Sequence, residues 1–453
     1  MKRKKGTLLL VFLITAALAV SALALTSFLR SAVPTVGEFP SADEYYEETE
    51  TEKKAPDIDL DSLAAFLSDN FGREFTSLEM SRAGDEINLR LYEHISETEL
   101  SADDFKLLTG YTVNAFLDKF GSMQSRDMSF NGKDTFTLGF TGDVNFTETG
   151  YVMTHARNMP GGVIDCIDET FRSEMESADI MLVNNEFPYS DRGSPTPDKK
   201  YTFRADPANV HYLNDLGVDI VSLGNNHTYD YGYESFVDTL STLKKAGIPY
   251  VGAGMTISEA SAPVSFIING YKVSYLACSG VEWPIKTPVA TQTSCGIMGS
   301  YDGGEAMKEA VEEAKKTSDY VIVFPHWGYE NTTELTSAQI SCSRKWIDAG
   351  ADAVIGCHAH ILQGVDYYKG APIAYGLGNF WFNTKNVPTV LYKLIIGSDG
   401  IKTQIVPGRQ ANSETRYMDD PADRRALYDS IISWSPGNNA EISDDGFITE
   451  KIS

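Results

Sequence analysis

From residue 136 onward, short apolar runs alternate with longer amphipathic segments. The apolar runs predict β-strands at residues 136–141, 180–184, 220–223, 264–268, 273–277, 320–324, 353–355 and 372–376. Apolar positions at helical spacing predict helices at residues 165–177, 207–216, 233–246, 305–317 and 337–349. Strands separated by helical segments are typical of a layered α/β domain.

Two dipeptides in this part of the chain indicate hairpins. Asn269-Gly270 separates two predicted strands, and Asp399-Gly400 lies at the predicted turn of a second hairpin within residues 390–407. Beyond residue 409 the chain becomes more polar, and we expect residues 441–453 to form a loosely held tail. We therefore place the main domain at residues 135–410 and a C-terminal extension at residues 411–453.

The first 134 residues have a different pattern. A basic start, Met1 to Lys5, precedes residues 8–25, which contain no charged side chain. Residues 1–30 are thus predicted to be a membrane anchor or signal peptide, and we favour an uncleaved anchor that holds the rest outside the cytoplasm. Residues 31–56 predict an acidic linker. Apolar residues at helical spacings predict a small helical pre-domain at residues 57–134.

Composition limits the classes of function. With 453 residues and 42% hydrophobic side chains, the chain can form a large packed core. Its net charge of −25 argues against nucleic acid as a partner, because phosphate binding requires a basic face. The chain has five cysteines. One disulfide is possible, with Cys278 and Cys295 nearest in sequence, but unpaired buried thiols are the default expectation.

Polar strings follow the predicted strands and contain four of the seven histidines. They are Gly142-Asp143, Asn184-Asn185-Glu186, Gly224-Asn225-Asn226-His227, Pro325-His326 and Gly356-Cys357-His358-Ala359-His360. Strand ends of an α/β sheet bring together side chains from distant parts of a chain. Carboxylate, amide and imidazole groups together are ligands for divalent metals. Each string alone also fits an ordinary capped turn, and Cys357 fits a packed core thiol better than a soft metal ligand.

The motif order GD…NxE…NNHxxDYG…HWGxE…HxH…YxLGNFxF resembles the CapA, or poly-gamma-glutamate (PGA-cap), capsule synthesis family. That family is similar to calcineurin-like metallophosphoesterases, and the resemblance covers residues 136–407. It implies an α/β fold, a four-layer α/β/β/α metallophosphoesterase-like sandwich, with a metal site at the strand ends. The small helical N-terminal region lies outside it.

The resemblance also implies roles for individual residues. His227, fixed by Asp230, would be the general acid or base. Side-chain chemistry, rather than the resemblance, suggests further roles. Lys200 and Arg204 would clamp an anionic substrate, because a guanidinium group suits carboxylate or phosphate, although a solvated basic pair fits these two residues equally well. Glu330 would orient a ligand or water. The implied metal ligands are Asp143, Asn145, Glu186, Asn226, His326, His358 and His360.

Two departures from the phosphoesterase pattern concern the first metal position. Asn145 stands where those enzymes have histidine, and Glu186 stands where they have a bridging aspartate. One firmly bound divalent metal ion is therefore as defensible as two, and Mn, Zn, Fe and Mg are not distinguished.

These observations lead to a functional expectation with one main alternative. We expect a membrane-anchored, extracytoplasmic metal-dependent hydrolase acting in synthesis, export or processing of an anionic capsule polymer such as poly-gamma-glutamate. A membrane synthase complex is a candidate partner. The alternative is a non-catalytic polymer-binding or assembly subunit with a degenerate metal site. A phosphoesterase acting on nucleotides or lipids fits less well, given Asn145 and Glu186.

Overall fold

The structure is a computed structural model that describes residues 75–83, 86–93, 97–100, 133–269, 271–282 and 286–451. Its strands are Phe75–Ala83 (β1), Glu86–Glu93 (β2), Glu97–Leu100 (β3), Thr135–Val144 (β4), Ile180–Asn185 (β5), Ile220–Ser222 (β6), Tyr250–Val251 (β7), Ala253–Gly254 (β8), Val264–Ile268 (β9), Tyr271–Ser279 (β10), Gly296–Ile297 (β11), Tyr320–His326 (β12), Ala353–Ile355 (β13), Val365–Tyr368 (β14), Ala371–Ala374 (β15), Asn379–Trp381 (β16), Val387–Gly397 (β17), Gly400–Ala411 (β18), Glu414–Tyr417 (β19), Ala440–Ile442 (β20) and Phe447–Glu450 (β21).

The helices in the described part of the chain are short to medium in length. The α-helices are Tyr151–Ala156 (α1), Val163–Cys166 (α2), Glu169–Ser177 (α3), His211–Asp215 (α4), Gly232–Lys245 (α5), Ile257–Ala260 (α6), Glu305–Lys315 (α7), Ser337–Asp348 (α8) and Pro421–Ser433 (α9), and two 3₁₀ turns span Pro207–Val210 and Pro436–Asn438. Predicted helices 233–246, 305–317 and 337–349 are confirmed to within two residues at each end. The predicted helix 165–177 is divided, because Asp168 caps α3 through the backbone N–H of Thr170.

Two mixed sheets make up the main domain. In the larger sheet the order of the strands is β20-β21-β18-β17-β4-β5-β6-β7, with β16 beside β4 and β19 beside β18. In the smaller sheet the order is β14-β15-β13-β12-β10-β9. Strands β4 to β7 are parallel, as are β10, β12, β13 and β15. The carboxyl ends of these parallel strands provide the edges at which a site can form.

The inner faces of the two sheets pack against each other. In the larger sheet, Phe140 lies in the shared core, and its ring stacks on Phe324 of the smaller sheet with ring centres 6.3 Å apart. Lys393 of β17 points the opposite way from its neighbours Tyr392 and Leu394 and pairs with Glu174 of α3 at 2.7 Å. Helix α3 therefore covers the outer face of the larger sheet.

Helices α7 and α8 cover the outer face of the smaller sheet. Met307 and Val311 of α7 and Trp346 of α8 pack in one cluster with Val321 and Val323 of β12. The order of layers is thus helix, sheet, sheet, helix, and the four-layer α/β/β/α prediction is confirmed.

Both predicted hairpins are confirmed. Ile268 pairs with Tyr271 across Asn269, whose φ of 49° is left-handed, and Gly397 pairs with Gly400 in the second hairpin. All five cysteines are buried and unpaired, in agreement with the default expectation. Among the described residues, no helix has both the length and the apolar character that a membrane crossing requires. The predicted anchor and acidic linker, residues 1–56, lie outside the described residues.

The structure differs from two expectations. Within the predicted helical pre-domain, residues 75–83, 86–93 and 97–100 form β1, β2 and β3, which pair antiparallel, so the helical prediction is wrong for these residues. Its period-two pattern at Ile87, Leu89 and Leu91 is typical of a strand. The rest of residues 57–132 lies outside the described residues.

The expected loose tail is also wrong as far as residue 450. Strands β20 and β21 pair with each other and β21 pairs with β18, so both extend the larger sheet. Ile442 and Ile448 are buried in the shared core. Burying these two side chains holds the C-terminal segment in place.

Candidate metal centre

Polar side chains from both sheets meet at the carboxyl ends of parallel strands. Asp143 lies in the last residues of β4, and Glu186 directly follows β5. His326 is the last residue of β12, in the smaller sheet. The turn after β6 contributes Asn226 and His227, and the segment after β13 contributes His358 and His360. Because parallel strands end at one edge of a sheet, groups far apart in sequence come together here.

Close backbone contacts fix the ends of these strands. The backbone N–H of Asp143 donates to Gly378 O at 2.9 Å. A Cβ at Gly142 would lie 1.8 Å from that same oxygen, so only glycine fits at this position. His358 and His360 have positive φ angles of 100° and 57°. Non-glycine residues rarely adopt such conformations, and they concentrate at functional sites.

Buried amides hold the two carboxylates. Asn184 Nδ2 donates to Asp143 Oδ1 at 2.8 Å and lies 3.4 Å from Glu186 Oε2. Asn225 Nδ2 in turn donates to Asn184 Oδ1 at 3.1 Å. Asn184 is an additional site residue that the sequence analysis did not assign, although it belongs to the quoted string Asn184-Asn185-Glu186. It acts by orienting the groups that contact the centre.

Three side chains converge on His326. Its Nε2 lies 2.8 Å from Asn226 Oδ1, 3.0 Å from His358 Nδ1 and 3.5 Å from Glu186 Oε1. One ion placed among these atoms would be within reach of all four side chains.

A second group of atoms forms around Asp143. His360 Nδ1 lies 3.2 Å from Asp143 Oδ2 and 2.8 Å from Asn379 Oδ1. Asn379, in β16, was not assigned by the sequence analysis. Its pairing with Asp143 in the parallel β4–β16 ladder brings it to the site.

The residues present fit a divalent cation. Ligand atoms lie within 4.8 Å of one another in three sets: Asp143, His326 and Cys357; Glu186, His326 and His358; and Asp143, Glu186 and His360. Asp143 Oδ2 and Glu186 Oε1 are buried and accept no hydrogen bond of normal geometry, although ring nitrogens of His360 and His326 lie 3.2 Å and 3.5 Å from them, respectively. Buried carboxylate oxygens without donors are costly unless a cation compensates them. Oxygen and imidazole donors suit Mn, Fe, Zn and, less well, Mg.

The pKa directions reflect the charge balance of the cluster. Burial and the neighbouring Asp143 raise the pKa of Glu186 well above its usual value. Burial, followed by the charge of neighbouring histidines, lowers the pKa of His326 well below its usual value and that of His358 to about 3. For His360, burial alone would lower the pKa, but contact with Asp143 outweighs it and the pKa is raised. Neutral imidazole is the form of histidine that binds metal.

Asn145 and Cys357 occupy different places relative to this cluster. Asn145 is buried, and its Oδ1 accepts a hydrogen bond from the backbone N–H of Thr147 at 2.7 Å. That contact occupies the amide oxygen locally. Cys357 Sγ lies 3.1 Å from His326 Nδ1, and burial raises the pKa of its thiol well above the usual value. In the metal-free protein this thiol packs against the imidazole of His326.

The predicted substrate-binding residues lie outside the buried cluster of candidate metal ligands. Lys200 is exposed, with its ammonium 4.8 Å from the centre of the Tyr201 ring. The guanidinium of Arg204 lies over the Tyr231 ring at 4.2 Å. Glu330 is exposed, and its charge adds to burial and to Asp143 in raising the pKa of Glu186. The structure therefore does not bring Lys200 or Arg204 into contact with the buried ligands.

His227 lies between the ligand cluster and a buried ion pair. Its Nδ1 is 2.7 Å from Asp230 Oδ2, and its Nε2 is 3.8 Å from Glu186 Oε1. On the far side of Asp230, Lys199 Nζ lies 2.8 Å from Oδ1. The sequence analysis assigned the neighbouring Lys200 and missed Lys199. The pattern of the chain does not distinguish these adjacent lysines.

Aromatic rings close the site on two sides. The Phe203 ring lies 4.3 Å from the His227 ring, and the Phe382 ring lies 4.7 Å from the His360 ring. Phe203 and Phe382 also contact each other edge to face at 5.4 Å. The two phenylalanine rings thus pack directly on the imidazoles of His227 and His360.

The chain thus folds as an α/β/β/α sandwich with a carboxylate, amide and imidazole cluster at its strand ends, the architecture that the resemblance to the capsule synthesis family implies. The family model described as bacterial capsule synthesis protein PGA_cap matches residues 137–384, more than half of the chain. The chain belongs to this family.

Curated relatives share this part of the chain. The PGA biosynthesis protein CapA of Bacillus subtilis (strain 168) is 27% identical over 281 residues, covering 60% of this chain and 72% of the relative. The capsule biosynthesis protein CapA of Bacillus anthracis is 30% identical over 239 residues, covering 51% and 57%. A probable polyglutamine synthesis accessory protein of Mycobacterium tuberculosis is 28% identical over 214 residues, covering 46% and 56%. The chain thus spans little more than half the length of the second and third relatives.

Solved structures give weak matches. A hypothetical protein from Thermus thermophilus aligns with a TM-score of 0.38 and 17% identity, covering 61% of this chain and 99% of that one. The NAD nucleotidase of Haemophilus influenzae aligns with a TM-score of 0.37 and 13% identity, covering 66% and 56%.

Proposed function

We propose that this chain is a metal-dependent hydrolase acting outside the cytoplasm in the synthesis, export or processing of an anionic capsule polymer such as poly-gamma-glutamate. The observation that carries the proposal is the convergence of Asp143, Glu186, His326, His358 and His360 around two buried oxygens that accept no hydrogen bond of normal geometry. The names of the curated relatives support the choice of polymer.

The metal would be held by two overlapping groups of ligands. Glu186, Asn226, His326 and His358 would hold one ion. Asp143, Glu186 and His360 would hold a second, with Glu186 shared. When bound, the metal supplies Lewis-acid polarisation of a substrate oxygen and a water of lowered pKa. Mn, Zn, Fe and Mg remain alternatives for the ion.

The chain's own residues supply orientation and proton transfer. Asp230 fixes Nδ1 of His227, which leaves Nε2 directed toward Glu186. From that position His227 would donate or accept a proton at Nε2 during cleavage. The Phe203 ring packs on the imidazole and restricts its rotation.

Recognition of an anionic chain requires cations near the buried centre. Lys200 is exposed and could reach a carboxylate or phosphate of the substrate. Arg204 already stacks on Tyr231 and donates to Arg192 O at 3.2 Å, so it would have to rearrange. Lys200 is therefore the better substrate contact of the two, and Glu330 would act through water at the rim.

A non-catalytic polymer-binding or assembly role is the second candidate, and one observation favours it. Asn145 occupies the first-motif position, yet its amide oxygen is engaged by Thr147. The second ion would then have only three protein ligands, Asp143, Glu186 and His360. A single structural ion bound by the other group would fit an assembly subunit.

The location and partners belong to the proposal as well. The uncharged stretch at residues 8–25 supports an N-terminal membrane anchor that places the catalytic domain outside the cytoplasm. A membrane synthase complex that makes the polymer is the proposed protein partner. The acidic net charge argues against nucleic acid.

Metal content and hydrolysis, measured on one preparation, test the proposal. The full-length chain is purified without chelator, analysed for bound metals, and assayed on poly-gamma-glutamate and on bis(p-nitrophenyl) phosphate. His358→Ala removes a ligand, and His211→Ala, at a half-exposed histidine, is the matched control. We expect bound metal and turnover that His358→Ala abolishes and His211→Ala retains.

The other outcomes separate the two candidates. Bound metal without turnover on either substrate would favour the assembly role. Absence of metal from the wild-type protein, even after incubation with Mn²⁺ or Zn²⁺, would refute the proposed centre.

A further inference from the structure

A lysine is buried beside the metal centre. The side chain of Lys199 is only 2% exposed, although lysines are rarely buried without a partner. Its Nζ contacts three acceptors: Asp230 Oδ1 at 2.8 Å, Glu282 Oε2 at 2.9 Å and the backbone oxygen of Asn226. These acceptors belong to separate parts of the chain, the turn after β6 and the loop after β10.

This arrangement excludes an anion-clamp role for Lys199. A lysine ammonium has three N–H donors and no acceptor. The Lys199 ammonium donates a hydrogen bond to the backbone oxygen of Asn226 and forms ion pairs with the carboxylates of Asp230 and Glu282. A substrate carboxylate or phosphate would have to displace one of these protein groups from the ammonium. Lys199 therefore acts on groups of the protein rather than on the substrate.

The carboxylate of Asp230 is held from both sides. Its Oδ2 accepts from the backbone N–H of Phe203 at 2.7 Å and lies 2.7 Å from His227 Nδ1. Its Oδ1 faces Lys199. The backbone oxygen of Asp230 also accepts from Thr196 N at 2.8 Å. Residues 196–203 thus fix the aspartate that orients His227.

The second contact of Lys199 acts on the peptide next to the metal ligand. The backbone oxygen of Asn226 accepts from Lys199 Nζ and from Thr287 Oγ1, the latter at 2.6 Å. The same peptide group links Asn226 to His227. Its orientation therefore sets the direction of both side chains.

We propose that Lys199 is a positioning residue, which holds Asp230 and the Asn226 carbonyl so that His227 keeps its proton on Nδ1 and presents Nε2 to the metal centre. The inference rests on the proposed function for the task of His227, but the geometry is independent of which bond is cleaved. A purely structural lysine would join the loops without affecting the imidazole.

Histidine-selective ¹⁵N NMR of the full-length, metal-free chain at neutral pH tests this directly. The ring-nitrogen shifts of His227, assigned with His227→Gln, report which nitrogen carries the proton. We expect Nδ1 to be protonated in the wild type and in Lys200→Met, the matched neighbouring control. Lys199→Met should populate both tautomers, and Lys199→Arg should restore the wild-type pattern. An unchanged His227 pattern in folded Lys199→Met would overturn the proposal.

A kinetic measurement gives a second readout. With Mn²⁺ and bis(p-nitrophenyl) phosphate, Lys199→Met should lower kcat on the order of 10- to 100-fold with KM little changed, because a misoriented group acts in the transition state. A larger change in KM than in kcat would contradict the positioning role. If the wild type shows no turnover, the hydrolase proposal fails, whereas the NMR comparison still decides the role of Lys199. If Lys199→Met does not fold, Lys199→Gln, which keeps an N–H donor without the charge, replaces it in both measurements.

Discussion

Gly142→Ala tests whether the metal centre depends on one backbone contact. The added Cβ would lie 1.8 Å from Gly378 O and 2.9 Å from Gly378 C. Relief requires the two backbone segments to separate by roughly 1.5 Å, since carbon contacts are comfortable only beyond about 3.4 Å. Asp143, the next residue, would move with its strand and lose its 2.9 Å hydrogen bond to Gly378 O.

We expect Gly142→Ala to affect metal binding and stability in parallel. Overpacking against backbone should lower the free energy of unfolding by about 1–3 kcal/mol. A shift of this size at a ligand should weaken Mn²⁺ binding on the order of 100-fold, equivalent to about 2.7 kcal/mol. Urea denaturation with chelator measures the first effect, and calorimetric titration with Mn²⁺ measures the second.

Gly370→Ala is the matched control for Gly142→Ala. Gly370 has a φ of 80° and nothing within 4 Å of a built Cβ. Alanine there should cost about 1–2 kcal/mol of backbone strain and leave Mn²⁺ affinity unchanged. Wild-type affinity in folded Gly142→Ala would refute the reasoning. An equal loss of affinity in both variants would refute it too, because metal binding would then follow stability alone.

Three further predictions concern pH, thiols and the core. Burial lowers the pKa of His358 from about 6.5 to about 3 in the folded protein. Between these two pH values its imidazole therefore binds a proton in the unfolded chain but not in the folded chain. His358 alone should therefore contribute a loss of stability on the order of 5 kcal/mol as the pH of the metal-free protein falls from 6.5 to 3. His358→Asn should remove this part of the pH dependence of the free energy of unfolding, measured by urea denaturation. Burial raises the pKa of Cys278 to about 12, so iodoacetamide at pH ~8 should label the five cysteines only after denaturation; rapid native labelling would contradict this. Phe140→Ala should lower the free energy of unfolding by about 3–5 kcal/mol, because it removes a buried ring that stacks on Phe324. Tyr151→Ala, at an exposed side chain, should lower it by at most about 0.5 kcal/mol, and equal effects of the two substitutions would contradict the packing of Phe140 in the core.

Most of the main domain could be predicted because its strands are buried on both faces. Val264–Ile268 and Ala353–Ile355 have the predicted bounds, since continuous apolar runs between polar turns leave little ambiguity. The prediction of helix is wrong for residues 86–93 because it rests on apolar residues at helical spacing elsewhere within residues 57–134. Residues 86–93 themselves have the alternating pattern of a strand. Strands β20 and β21 were missed because each buries few side chains in an otherwise polar segment.

The residues of the candidate site likewise include some that the sequence predicts and some that it does not. Ligands within a few residues of a strand end, such as His326, can be found from the sequence because regular structure fixes where strand ends meet. Lys199 and Asn379 are brought in by long-range contacts that leave no local periodicity. The burial of Lys199 and the exposure of Lys200 depend on the path of an irregular segment, which the pattern of apolar residues does not specify.

The central position of β4 has a consequence for the order of assembly. This strand, which carries Asp143, is flanked by β5 on one side and by β17 on the other, where Phe140 pairs with Tyr392 roughly 250 residues later in the sequence. Pairing of such distant segments is slow, because a long loop must close before any contact forms. All of the candidate metal ligands precede β17, yet the strand that carries the first of them is enclosed only after the β17–β18 hairpin docks. We therefore expect an ion at the candidate centre to bind only late in folding, and a chain shortened before β17 should contain every candidate ligand and still fail to form the centre.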